Sequence, residues 1–257
     1  MTPIMNELKY VEELIDSSSI PDKTSVSSVI TYLTKYYYEL YDSCDSVVDA
    51  VCEQMKKYNL KVENYQEYKF KSRMISLFKS LEEGKTDRLK THESIPLYRS
   101  EYEKILSCKA DKEKKLLFTL YILARYTGKY GWVYIPRKDI FNLANVSYNK
   151  DSKILIRNLL QQGLIKNTKK VDDTKIGVEL DDVAEDITMK IYNMENLGNQ
   201  FMVHLKPDYK LCECCNKIIK IKGANSKYCK ICAKKKESES KEIRNRKYYE
   251  KHRKIVC

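Results

Sequence analysis

Two C-x2-C motifs near the C-terminal end constrain this chain more than any other feature. Cys212 and Cys215 form the first motif, Cys229 and Cys232 form the second, and residues 216–228 separate them. Each motif can turn two thiolates toward one metal ion, and four thiolates complete the closed tetrahedral shell of structural zinc sites. A segment of about 25 residues cannot bury enough apolar surface to fold alone, so metal binding supplies the missing free energy. The sequence therefore predicts one structural zinc ion.

The neighbouring residue Cys214 leaves an ambiguity inside the first motif, because it could compete for the metal. C-x2-C geometry favours Cys212 and Cys215, and two motifs at this spacing favour metal binding over a redox pair.

The first residues lack the basic-then-apolar order of a secretory signal, and no run of about 18 apolar residues occurs. We therefore expect reduced thiols, a cytoplasmic protein and no membrane partner.

Positive charge is concentrated at the C-terminal end. Residues 206–257 carry 17 Lys or Arg and 6 Asp or Glu, a net of +11, whereas the whole chain has a net charge of +12. Such a patch attracts phosphate backbones through counterion release, although a solvated Lys-rich tail would have the same composition. The candidate nucleic-acid contacts in this region are Lys220, Lys222, Lys227, Lys230, Arg244 and Arg246.

Residues 24–82 have the periodicity of three amphipathic helices, which predicts a helical N-terminal bundle. The first helix would be capped by Thr24, the second would begin near Ser46, and 83–96 would be a linker. The apolar positions at helical spacing are Val26, Ile30, Leu33, Tyr37 and Leu40 in the first helix, Val48, Val51, Cys52 and Met55 in the second, and Phe70, Met74, Phe78 and Leu81 in the third.

The next segment predicts a helix over 100–127 that ends at Gly128, and an extended run at 132–135. A helix opened by Pro136 and a further helix over 150–162 follow. Short strands are predicted at 164–166, 174–180, 187–192 and 199–205. This order of helix, strand, helix, turn, helix and hairpin over 110–205 resembles a winged helix-turn-helix domain.

The resemblance implies that the helix over 150–162 enters the major groove of DNA. Leu155, Leu159 and Leu160 would face the core, so Lys150, Lys153, Arg157 and Gln161 would share the opposite stripe. Arg suits guanine, Gln suits adenine and Lys suits phosphates, although any exposed helix face carries such residues. Residues 164–205 contain 5 Lys and 8 Asp or Glu, and an acidic wing would repel phosphates, so either the wing points away from DNA or this winged helix binds protein.

The predicted fold class is mainly α with a small β wing (α+β). The predicted domains are a helical N-terminal domain with its linker at 1–96, a winged helix at 97–206, a four-cysteine zinc module at 207–235 and a basic tail at 236–257. The zinc motif followed by a basic arm also resembles small zinc modules of phage and low-GC bacterial proteins.

These features predict a zinc-containing protein that binds double-stranded DNA, as a phage or mobile-element regulator of transcription or replication. An enzyme or a small-molecule substrate is not expected, because G-x-x-x-x-G-K, H-E-x-x-H and G-x-S-x-G are absent and the three histidines lie far apart. One alternative is a protein-interaction adaptor that uses the winged helix. The other is an RNA or single-strand binder that uses the basic tail.

Overall fold

The computed structural model describes residues 3–21, 24–58, 64–128, 130–167, 175–181, 186–215, 217–221, 223 and 226–253, without the side chains of 64–67, 220 and 247–253. These residues divide into two compact units, one spanning Pro3–Ile95 and the other starting at Pro96. Helices dominate and the strands form small sheets, which confirms the predicted mainly α, α+β class. The predicted domain boundaries stay predictions.

The first unit contains four helices: α1 (Glu7–Asp16), α2 (Val26–Tyr38), α3 (Cys44–Lys57) and α4 (Asn64–Glu82). The three helices predicted within 24–82 are confirmed. Helix α1 was not predicted, since Val11 and Leu14 are its only fully buried apolar residues and its remaining positions are largely polar or charged. The apolar core of this unit includes Val11, Leu14, Val29, Ile30, Leu33, Val47, Val51, Met74 and Phe78.

Serine side chains set the first residues of two of these helices and correct the predicted starts. Ser25, not Thr24, caps α2 by accepting a hydrogen bond from the backbone N–H of Ser28 at 3.1 Å. Ser43 caps α3 in the same way, so this helix begins before Ser46. Helix α2 ends at Tyr38, and Leu40, predicted on its apolar face, lies beyond the helix and is 59% exposed.

In the second unit, β1 (Ile95–Tyr98) leads into α5 (Arg99–Ser107) and α6 (Asp111–Thr127), so the single helix predicted over 100–127 is wrong. A carboxylate stabilises the start of each helix, and the one at Glu113 favours a new start after the break. Glu101 accepts a hydrogen bond from the backbone N–H of Tyr98, and Glu113 accepts one from that of Ala110. Gly128 ends α6 in the left-handed conformation, with φ 63°, as predicted.

A three-stranded antiparallel sheet lies beside two short helices. The elements are β2 (Trp132–Val133), α7 (Arg137–Leu143), α8 (Ser152–Gln161), β3 (Lys166–Asn167) and β4 (Ile176–Gly177). The sheet order is β2-β4-β3, so the strand that precedes α7 pairs with the second strand of the hairpin that follows α8. Strand β5 (Ile187–Ile191) is not part of this sheet and pairs with β1 in a separate two-stranded sheet.

The strand predicted at 199–205 is wrong, since these residues belong to helix α9 (Leu197–Leu205). A short apolar run does not distinguish a strand from a helix. Helical spacing brings Leu197, Phe201 and Met202 to one buried side, whereas a strand would bury alternate residues. The ring of Phe201 stacks on that of Phe118 in α6, with centroids 4.8 Å apart.

Two asparagines with left-handed backbone hold the start of α9 against the end of α7. Asn145 and Asn196 have φ values of 53° and 51°, and the Asn145 side-chain amide donates to the Asn196 side-chain oxygen at 2.7 Å. At Gly198 a Cβ atom would lie 1.9 Å from the carbonyl oxygen of Ala144. Only glycine allows the two backbones to approach this closely.

We expect Gly198→Ala to destabilise the second unit by about 3 kcal/mol, because the new methyl group collides with backbone rather than with a movable side chain. Urea unfolding followed by Trp132 fluorescence tests this, since the only tryptophan of the chain lies in this unit. Gly223→Ala is the matched control: among the described residues, no atom lies within 4 Å of the place its Cβ would take, and we expect a change below about 0.5 kcal/mol. Equal unfolding midpoints for the two variants would contradict the close packing of α9.

Candidate metal centre

The first cysteine motif lies in the turn of a two-stranded hairpin. Strands β6 (Tyr209–Leu211) and β7 (Ile218–Lys220) pair antiparallel, with Leu211 opposite Ile218. The backbone N–H of Cys212 donates to the carbonyl oxygen of Lys217 at 2.8 Å, which extends the ladder into the turn. Cys212 and Cys215 therefore sit at either side of a tight turn that both strands support.

The second motif lies at the start of the C-terminal helix α10 (Lys230–Arg253). Cys229 directly precedes the helix and Cys232 lies in its first turn, where the N–H of Ala233 donates to the carbonyl oxygen of Cys229 at 2.8 Å. The hairpin turn and the helix start are joined by a hydrogen bond from the backbone N–H of Glu213 to the carbonyl oxygen of Lys227 at 3.1 Å. The two cysteine motifs, which are separated by 13 residues, are thus brought together.

The sulfur atoms of Cys212, Cys215, Cys229 and Cys232 all lie within 4.8 Å of one another. The Cys215 and Cys229 sulfurs are 3.7 Å apart, close to the edge of about 3.8 Å that a tetrahedron of Zn–S bonds of about 2.3 Å requires. Cys212 and Cys232 are buried, whereas Cys215 is exposed. This arrangement could hold a metal ion, and four soft sulfur ligands fit zinc.

The electrostatics of the four thiols also favour a cation between them. Burial opposes ionisation of Cys212, but backbone N–H groups, including that of Cys229, outweigh it and lower the pKa of this thiol to about 6. The backbone N–H of Cys232 lowers the pKa of Cys229. The pKa of Cys232 is raised by its hydrogen bonds with the Cys215 and Cys229 sulfurs, and that of Cys215 is raised as well. A divalent cation allows all four to ionise together.

The predicted contact residues of α8 lie together on its exposed side. Lys150 is in the turn that precedes the helix, and Lys153, Arg157 and Gln161 follow along one stripe, all exposed. The set of buried residues on the opposite side of α8 differs slightly from the predicted set. Leu159 is buried as expected, but Ile156 is the second buried residue, while Leu155 and Leu160 are half-buried.

One residue of this stripe was missed. Ile154 is 57% exposed and lies on the exposed side of α8, one turn before Arg157 and two turns before Gln161. The helical period could have revealed it, since position 154 precedes 157 by three residues and 161 by seven. Apolar residues are instead assigned to the core by default, and for Ile154 that assumption fails.

The basic candidates of the C-terminal region lie on α10 and in the segment before it. Lys227, Lys230, Arg244 and Arg246 are exposed, whereas the side chain of Lys220 and all of Lys222 lie outside the described residues. At about 100° per residue, one face combines Lys230, Lys234, Lys241 and Arg244 with a single acid, Glu237, which pairs with Lys241 at 2.9 Å. Arg246 falls on the opposite face, beside Glu239 and Glu242.

Several acids of the predicted acidic wing have basic partners. Glu179 pairs with Lys166 of β3, and this hydrogen bond lowers the pKa of the carboxyl group. Asp181 accepts hydrogen bonds from Ser100 and from Lys104 of α5, and the hydroxyl of Ser100 is the largest cause that lowers its pKa. The charge of Asp181 is thus partly compensated by Lys104, which a count over 164–205 does not include, whereas Lys166 is already part of that count.

In comparisons with known proteins, no family model, no curated protein and no solved structure matches this chain. A function for this chain is therefore inferred from the geometry and charge of the described residues. Among the helices of the described residues, none combines the length and the apolar character that crossing a membrane requires.

We expect the purified chain to bind one zinc ion, and Cys212→Ser to weaken zinc binding more than about 100-fold, because losing a ligand costs more than losing a neighbour of a ligand. Competition with a chromophoric chelator measures the affinity, and elemental analysis measures the stoichiometry. Cys214→Ser is the matched control, since Cys214 is exposed and lies outside the group of four, and it should bind zinc as the parent chain does. Equal losses in both variants would contradict the proposed ligand set.

Proposed function

We propose that this protein binds double-stranded DNA, with α8 in the major groove and the basic face of α10 on the phosphate backbone. The observation that carries the proposal is the exposed stripe of Lys150, Lys153, Arg157 and Gln161 on a helix whose other side is buried. Helix α8 has ten residues and is about 15 Å long, and an α-helix with its side chains, about 10–12 Å in diameter, fits a major groove about 12 Å wide.

The arrangement of elements around α8 supports a winged helix-turn-helix. Helix α6, strand β2, helices α7 and α8 and the hairpin β3–β4 follow one another in the order of that fold. The pairing of β2 with β4 puts the strand between α6 and α7 in the same sheet as the hairpin after α8. In such folds the second helix of the helix-turn-helix reads the base edges.

The metal centre supports the second contact. Helix α10 has 24 residues, about 36 Å in length, and its described side chains are exposed except for that of Cys232. A helix that is polar on all sides has no core to hold it, so its first turn needs an anchor. We assign zinc to that role: Cys229 and Cys232 attach the helix to the hairpin turn, and four sulfur ligands leave no open position for catalysis.

A chain with two separate DNA contacts suits a regulator of transcription or replication, and the resemblance to phage and low-GC bacterial zinc modules favours a phage or a mobile element as its source. A second candidate function, binding of RNA or single strands through α10, is favoured by the concentration of exposed positive charge on that helix. The two functions differ in whether α8 contributes to binding.

Replacing Lys150, Lys153 and Arg157 together by Ala should weaken binding to a fluorescent duplex and reduce the salt dependence. We expect the slope of log affinity against log salt to fall by about 0.9 for each phosphate that the variant no longer neutralises. Fluorescence anisotropy between about 50 and 200 mM salt measures both quantities. The control replaces three exposed lysines of the first unit, Lys9, Lys56 and Lys69, and should leave the slope unchanged.

If the α8 variant binds duplex as the parent does, α8 is not the DNA-reading element. Preference for single-stranded DNA or RNA in the same titration would then favour the second candidate. Absence of duplex binding at about 50 mM salt would contradict the proposed function itself, and the protein-adaptor alternative would replace it.

The two arginines of α10 provide a matched pair. Arg244→Ala should lower the salt slope by about 0.9, because Arg244 shares its face with Lys230, Lys234 and Lys241. Arg246→Ala removes the same charge from the face that also carries Glu239 and Glu242, and its effect should be less than half as large. Equal effects of the two substitutions would mean that α10 acts as a diffuse charge rather than through one face.

A further inference from the structure

An aliphatic side chain stands among the polar residues of the proposed DNA-reading stripe. Ile154 is 57% exposed, with Lys150 in the turn that precedes α8 and Arg157 one helical turn after Ile154. The inward side of α8 is already formed by Ile156 and Leu159, so Ile154 does not serve the core. Single exposed aliphatic residues are common, so the exposure of Ile154 alone is not informative. Its position among the proposed DNA contacts is.

The position of Ile154 determines what it would meet in a major groove. Cations on both sides draw the helix to phosphates and base edges, and they disfavour an apolar protein partner that would have to bury them. In the major groove, the apolar group that the four bases present is the C5 methyl of thymine. An aliphatic side chain at the centre of the stripe is therefore complementary to thymine.

We propose that Ile154 contacts a thymine methyl group and thereby makes this protein selective for sites with thymine at that position. The proposal rests on the proposed function, because it requires α8 in the major groove. Gln161 lies seven residues further along the helix, about 10 Å away, which corresponds to about three base-pair steps. Since Gln suits adenine, the preferred site should carry a second A·T pair at about that distance.

The test uses the full-length, zinc-loaded chain. A preferred duplex is first selected from a random library, and each thymine is then replaced in turn by deoxyuridine, which removes the methyl group and keeps the base pairing. We expect the affinity to fall about fourfold at one or two positions, the value of one buried methyl group, and to stay unchanged at the others.

Two variants distinguish contact by Ile154 from a general effect of the methyl group on DNA. Ile154→Ala should bind the thymine and deoxyuridine duplexes equally at the sensitive position. Ile243→Ala is the matched control, because Ile243 has nearly the same exposure, 56%, but lies on α10, and this variant should keep the fourfold ratio. Circular dichroism should give the same helix content for both variants and the parent.

Four outcomes overturn the proposal. Duplex binding that is insensitive to every deoxyuridine substitution, or a selection that yields no preferred site, removes the thymine contact and leaves the proposed function standing. An Ile154→Ala variant that keeps the parent's ratio assigns the contact to another residue. Failure of the parent chain to bind any duplex removes the proposed function and this proposal together.

Discussion

The arrangement of the second unit depends on the enclosure of one helix. The central residues of α6, from Leu116 to Ala124, are all buried, so this helix needs apolar cover around its whole circumference. Helices α5, α7, α8 and α9 and strands β2 and β4 pack against it. Helix α8 contributes Ile156 and Leu159, and its Asn158 donates to Glu113 of α6 at 2.9 Å. Covering α6 therefore fixes which side of α8 is exposed.

A buried ion pair adds direction to this packing. Glu101 of α5 is fully buried and accepts hydrogen bonds from Arg125 of α6, the shorter at 2.5 Å, while Arg125 also donates to the carbonyl oxygen of Asp181. Apolar contact alone would let α5 slide along α6, whereas this network is satisfied in one register. Replacing either Glu101 or Arg125 alone should destabilise the fold strongly, since the remaining partner would be a buried and unpaired charge. The segment after β4 is thereby tied to α5 and α6.

Local signals in the sequence predicted some of this structure. The C-x2-C spacing located four candidate ligands, and Gly128 ended a helix where its left-handed backbone is needed. The failures share a different cause. The strand assigned to 199–205 is a helix because that conformation buries Leu197, Phe201 and Met202 on one side, where Phe201 stacks on Phe118 of α6. A charge count along the sequence likewise does not show that Asp181 pairs with Lys104 of α5. Such partners are unknown until the chain is folded, so one sequence does not reveal them.

With a metal ion held by the four cysteines, helix α10 would act as a lever with its pivot at its first turn. Beyond Lys236, the described side-chain hydrogen bonds of Ser240, Lys241 and Arg244 stay within the helix. Arg244 lies about 20 Å from the first turn, so a tilt of about 10° at the pivot moves it by about 3.5 Å, the rise of one base pair. In the proposed DNA complex, the bond angles at the metal ion would thus decide which phosphate Arg244, about four turns away, can reach.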